Sequence, residues 1–167
     1  SDMALVIESG SGVPGAESFA TADELVTYAV NFGKVIPAES IQLEALLRRA
    51  ALQMNSLPWK GGAARRDQPL SWPRAGVKRN GWVLPHNQIP PQIKAGQMAL
   101  AAEIHADDLA PPELKKGAVT MDRVDGAVTR QYAQACARAR KAAAGRQSSA
   151  QFADLLESSS QVALRRS

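Results

Sequence analysis

A chain of 167 residues is most simply one domain, long enough to bury a core without disulfides or metals to staple it. Its single cysteine, Cys136, excludes an internal disulfide, and no uninterrupted apolar run nears the ~20 residues of a membrane-spanning helix. A net charge of +4 and a pI near 9.5 permit nucleic acid or an acidic protein as partner and select neither. With no basic-then-apolar leader, the chain is expected to be soluble and intracellular at synthesis; Ser1-Asp2 ahead of Met3 reads as a scar of expression and is set aside.

Leu5-Val6-Ile7 is a short extended candidate, and Gly10-Ser11-Gly12-Val13-Pro14-Gly15 is a turn cluster. Thr21 and Glu24 have the spacing of a capping box, which predicts a helix to about Phe32 stopped by Gly33. A second helix is expected from near Pro37, because Leu43, Leu46, Leu47, Ala50, Met54 and Leu57 recur at three- and four-residue steps and share one face.

From Trp59 to Trp82 the character changes. All three tryptophans lie here among Lys60, Arg65, Arg66, Arg74, Lys78 and Arg79, with only Asp67 opposing them, so this stretch is more positive than the whole chain. Gly61-Gly62, Pro69, Trp72-Pro73, Gly76, Asn80-Gly81 and Pro85 forbid a long helix and predict a turn-rich, ordered loop over residues 58–90. Such a loop is uncommon in a compact chain unless it has a role, and three indoles argue against disorder. The prolines suggest a folded-down path, which favours packing over open base stacking, with Trp72-Pro73 in the core and Trp82 the most exposed of the three. The arginines fit a solvated surface as well as a partner contact.

A third helix is expected to open at Pro90-Pro91, carry Ile93, Met98, Ala102 and Ile104, and close at Pro111-Pro112. Strand-like spacing of Val119, Met121, Val124, Val128 and Tyr132 around Asp125-Gly126 predicts a hairpin over 118–132. Ala133 to Ala144 has strong helix propensity and carries Arg138, Arg140 and Lys141, a second basic surface near Arg130 and Arg146. Gln151 to Leu156 is a short helix candidate with Phe152, Leu155 and Leu156 as apolar anchors in an otherwise polar tail. The expected fold class is mainly α: a small helical bundle with a long ordered Trp/Pro-rich loop, one β-hairpin and an extended C-terminal tail. It divides into 1–132, the bundle, and 133–167, the Ala/Arg-rich helix and tail.

Enzyme chemistry finds little to stand on. The Gly10–Gly15 turn lacks the Gly-Lys-Ser/Thr ending that reaches outer phosphates. His105 with Glu103, Asp107 and Asp108 lacks a second histidine one turn away, so no metal site is expected. His86 has no assignable partner, and Cys136 has no base to form a nucleophile pair. No catalytic residue and no cofactor is assigned.

Gly10-Ser-Gly-Val-Pro-Gly-Ala-Glu-Ser-Phe19, the Tyr28 helix, the Leu46–Leu57 helix ending in Trp59-Lys60-Gly61, Gln68-Pro-Leu-Ser-Trp-Pro-Arg-Ala-Gly-Val77 and Ile89-Pro-Pro-Gln-Ile-Lys94 resemble a family of tailed-phage proteins. Its members are described as head-tail connector (adaptor, head-completion) proteins or as DnaT-like single-stranded-DNA-binding proteins. The resemblance spans about Ala4 to Tyr132; the Trp72-Pro73 block is its most specific part. As a connector it implies a homo-oligomer, usually a twelve-fold ring, made in the bacterial cytoplasm and ending in the neck of the virion. There it docks on the portal protein, extends the DNA channel and receives tail or tail-completion proteins, with no membrane partner. Under that reading Trp59, Lys60, Arg65, Arg66, Arg74, Lys78, Arg79 and Trp82, with Phe152, Leu155 and Leu156, meet neighbouring subunits or partners. Arg138, Arg140 and Lys141 then face packaged DNA, Trp72 and Pro73 are structural, and Glu103, Asp107, Asp108 and Glu113 supply the unlike face a ring needs. The alternative is a single-stranded-DNA-binding protein of phage or prophage replication. On the connector reading, replacing Arg65, Arg66 and Arg74 by glutamate leaves the monomer folded, and truncation at Gly145 spares the bundle.

Overall fold

Thr21 starts the first helix as its spacing predicts. Its hydroxyl accepts from the Glu24 amide at 3.1 Å, and the Glu24 carboxylate accepts from the Thr21 amide at 2.9 Å. In the computed structural model, which describes residues 4–110 and 146–157, this helix, α1, covers Ala22–Phe32 and ends at Gly33 with a φ of 64°. Helix α2 covers Ser40–Met54, starting later than Pro37 because its hydrogen-bond ladder first closes on the Glu39 carbonyl. It also stops short of Leu57, which sits in the turn that follows and packs on the core from outside the helix. Helix α3 covers Pro91–Leu109 with proline in its first turn.

Between α2 and α3 the Trp-rich segment forms two minimal antiparallel pairs. Strands β1 (Gly62–Ala63) and β2 (Arg74–Ala75) pair with Gly62 opposite Ala75; β3 (Lys78–Arg79) and β4 (Trp82–Val83) pair with Lys78 opposite Val83 and Arg79 opposite Trp82. The second pair is a two-residue hairpin. Asn80 and Gly81 both take positive φ, 55° and 83°, the requirement that selects Asn-Gly at such turns. The dipeptide marks a hairpin here, where the sequence reading had only a turn. The expected hairpin at 118–132 and the Ala-rich helix lie outside the described residues.

The described residues after 145 correct one expectation. Helix α4 (Gln147–Phe152) and a 3₁₀ turn (Ala153–Leu155) belong to the core, with Phe152 and Leu155 buried. Helix α4 starts four residues before the expected Gln151 because α3 caps it: Glu103 accepts from the Ser148 amide at 3.0 Å and from its hydroxyl at 2.6 Å. Phe152 lies over Gly96 of α3, where an added Cβ would occupy the space of the ring. The path is completed by the Arg146–Asp107 ion pair at 2.9 Å and by backbone bonds from Lys60 to Leu155 and from Glu157 to Pro58.

Two adjoining clusters make up the interior. One joins α1, α2 and α3 through Leu25, Leu43, Leu46, Leu47, Ala101 and Ile104. The other gathers the Trp-rich segment and the C-terminal segment on α2 and α3 through Met54, Trp59, Leu70, Trp72, Ile93, Phe152 and Leu155. Trp59 stands edge-on to both Trp72 and Phe152, with centroids 5.6 and 5.1 Å away.

Across the α1–α3 interface Lys94 donates to Glu24 at 2.8 Å. Burial pushes the Glu24 carboxyl upward, but the bonds from Lys94 and Thr21 outweigh it and the net shift is downward. A lowered folded-state value means that this stabilisation is complete above the ordinary carboxylate range and is lost as pH falls through the folded value. Urea midpoints measured through acid pH are therefore expected to decline less steeply in Lys94→Met than in the parent; identical slopes would remove the pair from the pH response.

Candidate functional site

The Trp-rich segment divides into a structural part and a displayed part. Trp59 and Trp72 are 5% and 0% exposed, and the Trp59 indole N–H donates to the Met54 carbonyl at 2.7 Å. Trp72 and Pro73 are both buried, and the bond between them is cis. Neither buried indole can present a face to a ligand.

Several of the cations are also turned inward. The Arg74 guanidinium donates to the carbonyls of Lys60 (2.7 Å), Gly61 (2.9 Å) and Ser71 (3.2 Å), tying strand β2 to the segment before β1. Burial lowers its pKa, with Glu157 pulling the other way. Substituting Arg74 by glutamate would leave these carbonyls without their donor and put an acid near Glu157, so the triple charge reversal is not expected to be structurally neutral. The Lys60 ammonium donates to the Asp154 carbonyl at 2.9 Å, and Arg79 pairs with the Asp154 carboxylate at 3.4 Å. Arg65 is exposed at the surface, yet its side chain fills the space beside Gly12, at a φ of 76°.

What remains in solvent is Trp82, 78% exposed at the end of the Asn80-Gly81 turn, with Lys78 exposed on the paired strand and Arg66 exposed elsewhere on the same segment. The hairpin base is firm. Arg79, opposite Trp82, is anchored to Asp154, Leu84 bonds back to Val77 at 2.8 Å, and Val77 is fully buried. The geometry thus offers one indole face on an anchored hairpin, with the exposed Lys78 ammonium on the paired strand, able to stack on a flat π-system and attract a phosphate.

The structure brings Trp59, Trp72, Phe152 and Leu155 together in this chain's own core, and Leu156 pairs with Trp59 in an isolated β-bridge. Those residues are therefore packing groups, which corrects the expectation that Phe152 and Leu155 reach out to a partner. The acids of α3 are similarly occupied: Glu103 caps α4, Asp107 holds Arg146, and Asp108 makes a two-pronged pair with Arg49 at 2.7 and 3.1 Å that lowers its own pKa. They form no free acidic face. His105 lines a cleft of about 390 Å³ with Val35, Ala102, Ala106 and Leu109. Among the described residues no group of three His, Cys, Asp or Glu side chains could hold a metal, and no helix is long and apolar enough to cross a membrane. Arg138, Arg140, Lys141, Glu113 and Cys136 lie outside the described residues.

Two buried polar residues that position the segment were not singled out from sequence. Glu8, 2% exposed, accepts from the amides of Gly10 (2.9 Å), Gly12 (2.8 Å) and Val13 (2.9 Å), so the glycine cluster wraps this chain's own carboxylate rather than a ligand. Gln97, fully buried, makes four hydrogen bonds that join the N-terminal segment and α2 to α3. A signal for each existed: an acid directly ahead of alternating glycines, and a polar side chain one turn after Ile93 on an apolar face.

Comparison with known proteins adds a family. No curated protein and no solved structure matches the chain, and nothing found supports the head-tail connector resemblance. A family model does match, over residues 3–167, nearly the whole chain. The protein therefore belongs to the family described as Putative DnaT-like ssDNA binding protein.

Proposed function

We infer that the protein binds single-stranded DNA through the β3–β4 hairpin, in phage or prophage replication. The observation that carries this reading is the single indole left in solvent, Trp82, standing on a basic hairpin while the other two are buried. Single-strand binders pair aromatic faces with cations along the backbone, and they tolerate any base because every base has a π-face. One indole and a few cations predict a short footprint, little sequence preference and an affinity that drops as salt rises. The family description supports the same class of ligand.

The buried pair makes the test clean, because quenching of the exposed fluorophore reports on Trp82. Titration of a short oligothymidylate at 50 mM salt is expected to quench tryptophan emission, and duplex DNA of equal length to bind more weakly. Trp82→Ala should weaken binding by about tenfold, within the ~1–3 kcal/mol of one base stack. Binding that is absent in the parent protein, or unchanged in the variant, removes the hairpin as the site.

A second reading, the connector subunit of a phage neck, is favoured by a separate observation. Val30, Val35, Ile41 and Leu52 are 64–77% exposed on or beside α1 and α2, where nucleic acid has no use for them. Under this reading they would meet neighbouring subunits, portal or a tail-side protein. Co-assembly with portal protein, or imaging of the chain within virions, tests it.

A further inference from the structure

Two cations stand on the hairpin that carries Trp82, and the pairing register separates them. Arg79 lies directly opposite Trp82, and residues opposed across an antiparallel pair send their side chains to one face, whereas Lys78, one residue earlier, belongs to the other. The cation beside the indole is therefore Arg79. Two groups hold its guanidinium: Asp154 of the C-terminal segment pairs with it at 3.4 Å, and the Gln92 amide, its oxygen turned toward Arg79, accepts at 3.0 to 3.1 Å. They differ in kind. Gln92 is neutral and belongs to the first turn of α3, while Asp154 is a carboxylate on the 3₁₀ turn with its side chain 63% exposed. The Asp154 carbonyl also accepts from the Lys60 ammonium at 2.9 Å, and Glu157, three residues on, acts on Arg74 through its charge. The acidic end of the C-terminal segment thus lies against the basic Trp-rich segment.

We propose, resting on the DNA reading of this hairpin, that Asp154 occupies the place on Arg79 that a backbone phosphate takes when a single strand stacks on Trp82. The C-terminal segment is then a built-in competitor of the strand. Carboxylate and phosphodiester each carry one negative charge over two equivalent oxygens, and a guanidinium receives either through the same pair of N–H groups. One can replace the other. An ion pair this exposed contributes little net energy, so it yields to a ligand that brings base stacking as well. Gln92 keeps Arg79 beside the indole once Asp154 has left. The hairpin is thereby held below its full affinity, most strongly at low salt, where the pair is least screened.

Anisotropy of a fluorescein-labelled oligothymidylate, titrated with the full chain at about 50 and about 200 mM salt, reads the competition. Asp154→Asn alters an exposed side chain and keeps the carbonyl that receives Lys60. It is expected to bind about two- to fivefold more tightly than the parent at the lower salt, the worth of one exposed ion pair, with the gap closing at the higher. Asp67→Asn removes an equal charge and leaves the Arg79 pair intact, so it should gain less. In an Arg79→Gln background the gain from Asp154→Asn should vanish, because no guanidinium is left to release. Equal affinities of the parent and Asp154→Asn, an equal gain from Asp67→Asn, or a gain that survives Arg79→Gln each overturn the competition. Trp82 quenching in the parent would still leave the hairpin's DNA contact standing. If neither the parent nor Asp154→Asn holds the strand, the DNA reading itself falls, and the competition with it.

Discussion

Ending the chain at Gly145 is expected to abolish cooperative unfolding, with tryptophan emission shifted toward that of solvent-exposed indole. The segment 146–157 contributes two fully packed side chains, Phe152 at 3% exposure and Leu155 at 0%, and Phe152 forms one wall of the Trp59 site. Losing a buried phenylalanine and a buried leucine costs roughly 5–10 kcal/mol by analogy with large-to-small core replacements. A domain's whole stability is only ~5–15 kcal/mol. The cut also leaves Glu103 and Asp107 without Ser148 and Arg146, and the Lys60 amide without the Leu155 carbonyl. Phe152→Ala alone should cost about 3–5 kcal/mol, and Gly96→Val should do comparable damage from the other side of the contact, because any Cβ there invades the ring. Denaturant midpoints measure all three. A truncated chain that melts like the parent would show that the C-terminal segment is dispensable to the core.

Gln97→Leu is the second large loss expected. The Gln97 side-chain oxygen accepts from the amides of Phe19 (2.9 Å) and Ala20 (3.1 Å), while its nitrogen donates to the Ser18 hydroxyl and the Leu47 carbonyl, both at 2.8 Å. Leucine fills similar volume and meets none of these needs. The Phe19 amide loses its acceptor, while the Ala20 amide keeps the Ser18 hydroxyl at 3.2 Å, so at ~1–3 kcal/mol for a buried group left unsatisfied the loss is about 1–3 kcal/mol. Hydrogen exchange at Phe19 and Ala20 should accelerate with it. Gln97→Glu offers a signed control: it retains the acceptor for both amides but cannot donate when ionised, so it should be least stable at neutral pH and recover as acid protonates it. A Leu variant as stable as the parent would mean that the four bonds contribute little net energy.

Both expectations concern contacts between segments far apart in sequence, and this divides what was legible beforehand from what was not. Helix α1 was readable to its ends because Thr21, Glu24 and Gly33 satisfy backbone groups within one turn of themselves. The buried face of α2 was readable because its leucines repeat at the helical period. The burial of Trp72-Pro73 and the exposure of Trp82 also followed from local punctuation, the prolines holding one indole down and the Asn-Gly turn lifting the other out.

The start of α4 could not be read, since its cap is Glu103 from α3, 45 residues away. Nor could the sequence reveal that Phe152 and Leu155 face inward, because an apolar pair in a polar tail is the same string whether it docks on its own core or on a partner. The candidate site shrank for a similar reason. Six cations crowd the Trp59–Trp82 stretch, but charge in a sequence carries no direction, and the fold spends Arg74 on three backbone carbonyls and Lys60 and Arg79 on Asp154. Elements defined by period and by short-range hydrogen bonds were thus fixed by the residues alone. Which indoles and cations stay available to a ligand was decided by tertiary packing, because burial and satisfaction of a polar group depend on neighbours that only the closed chain brings together.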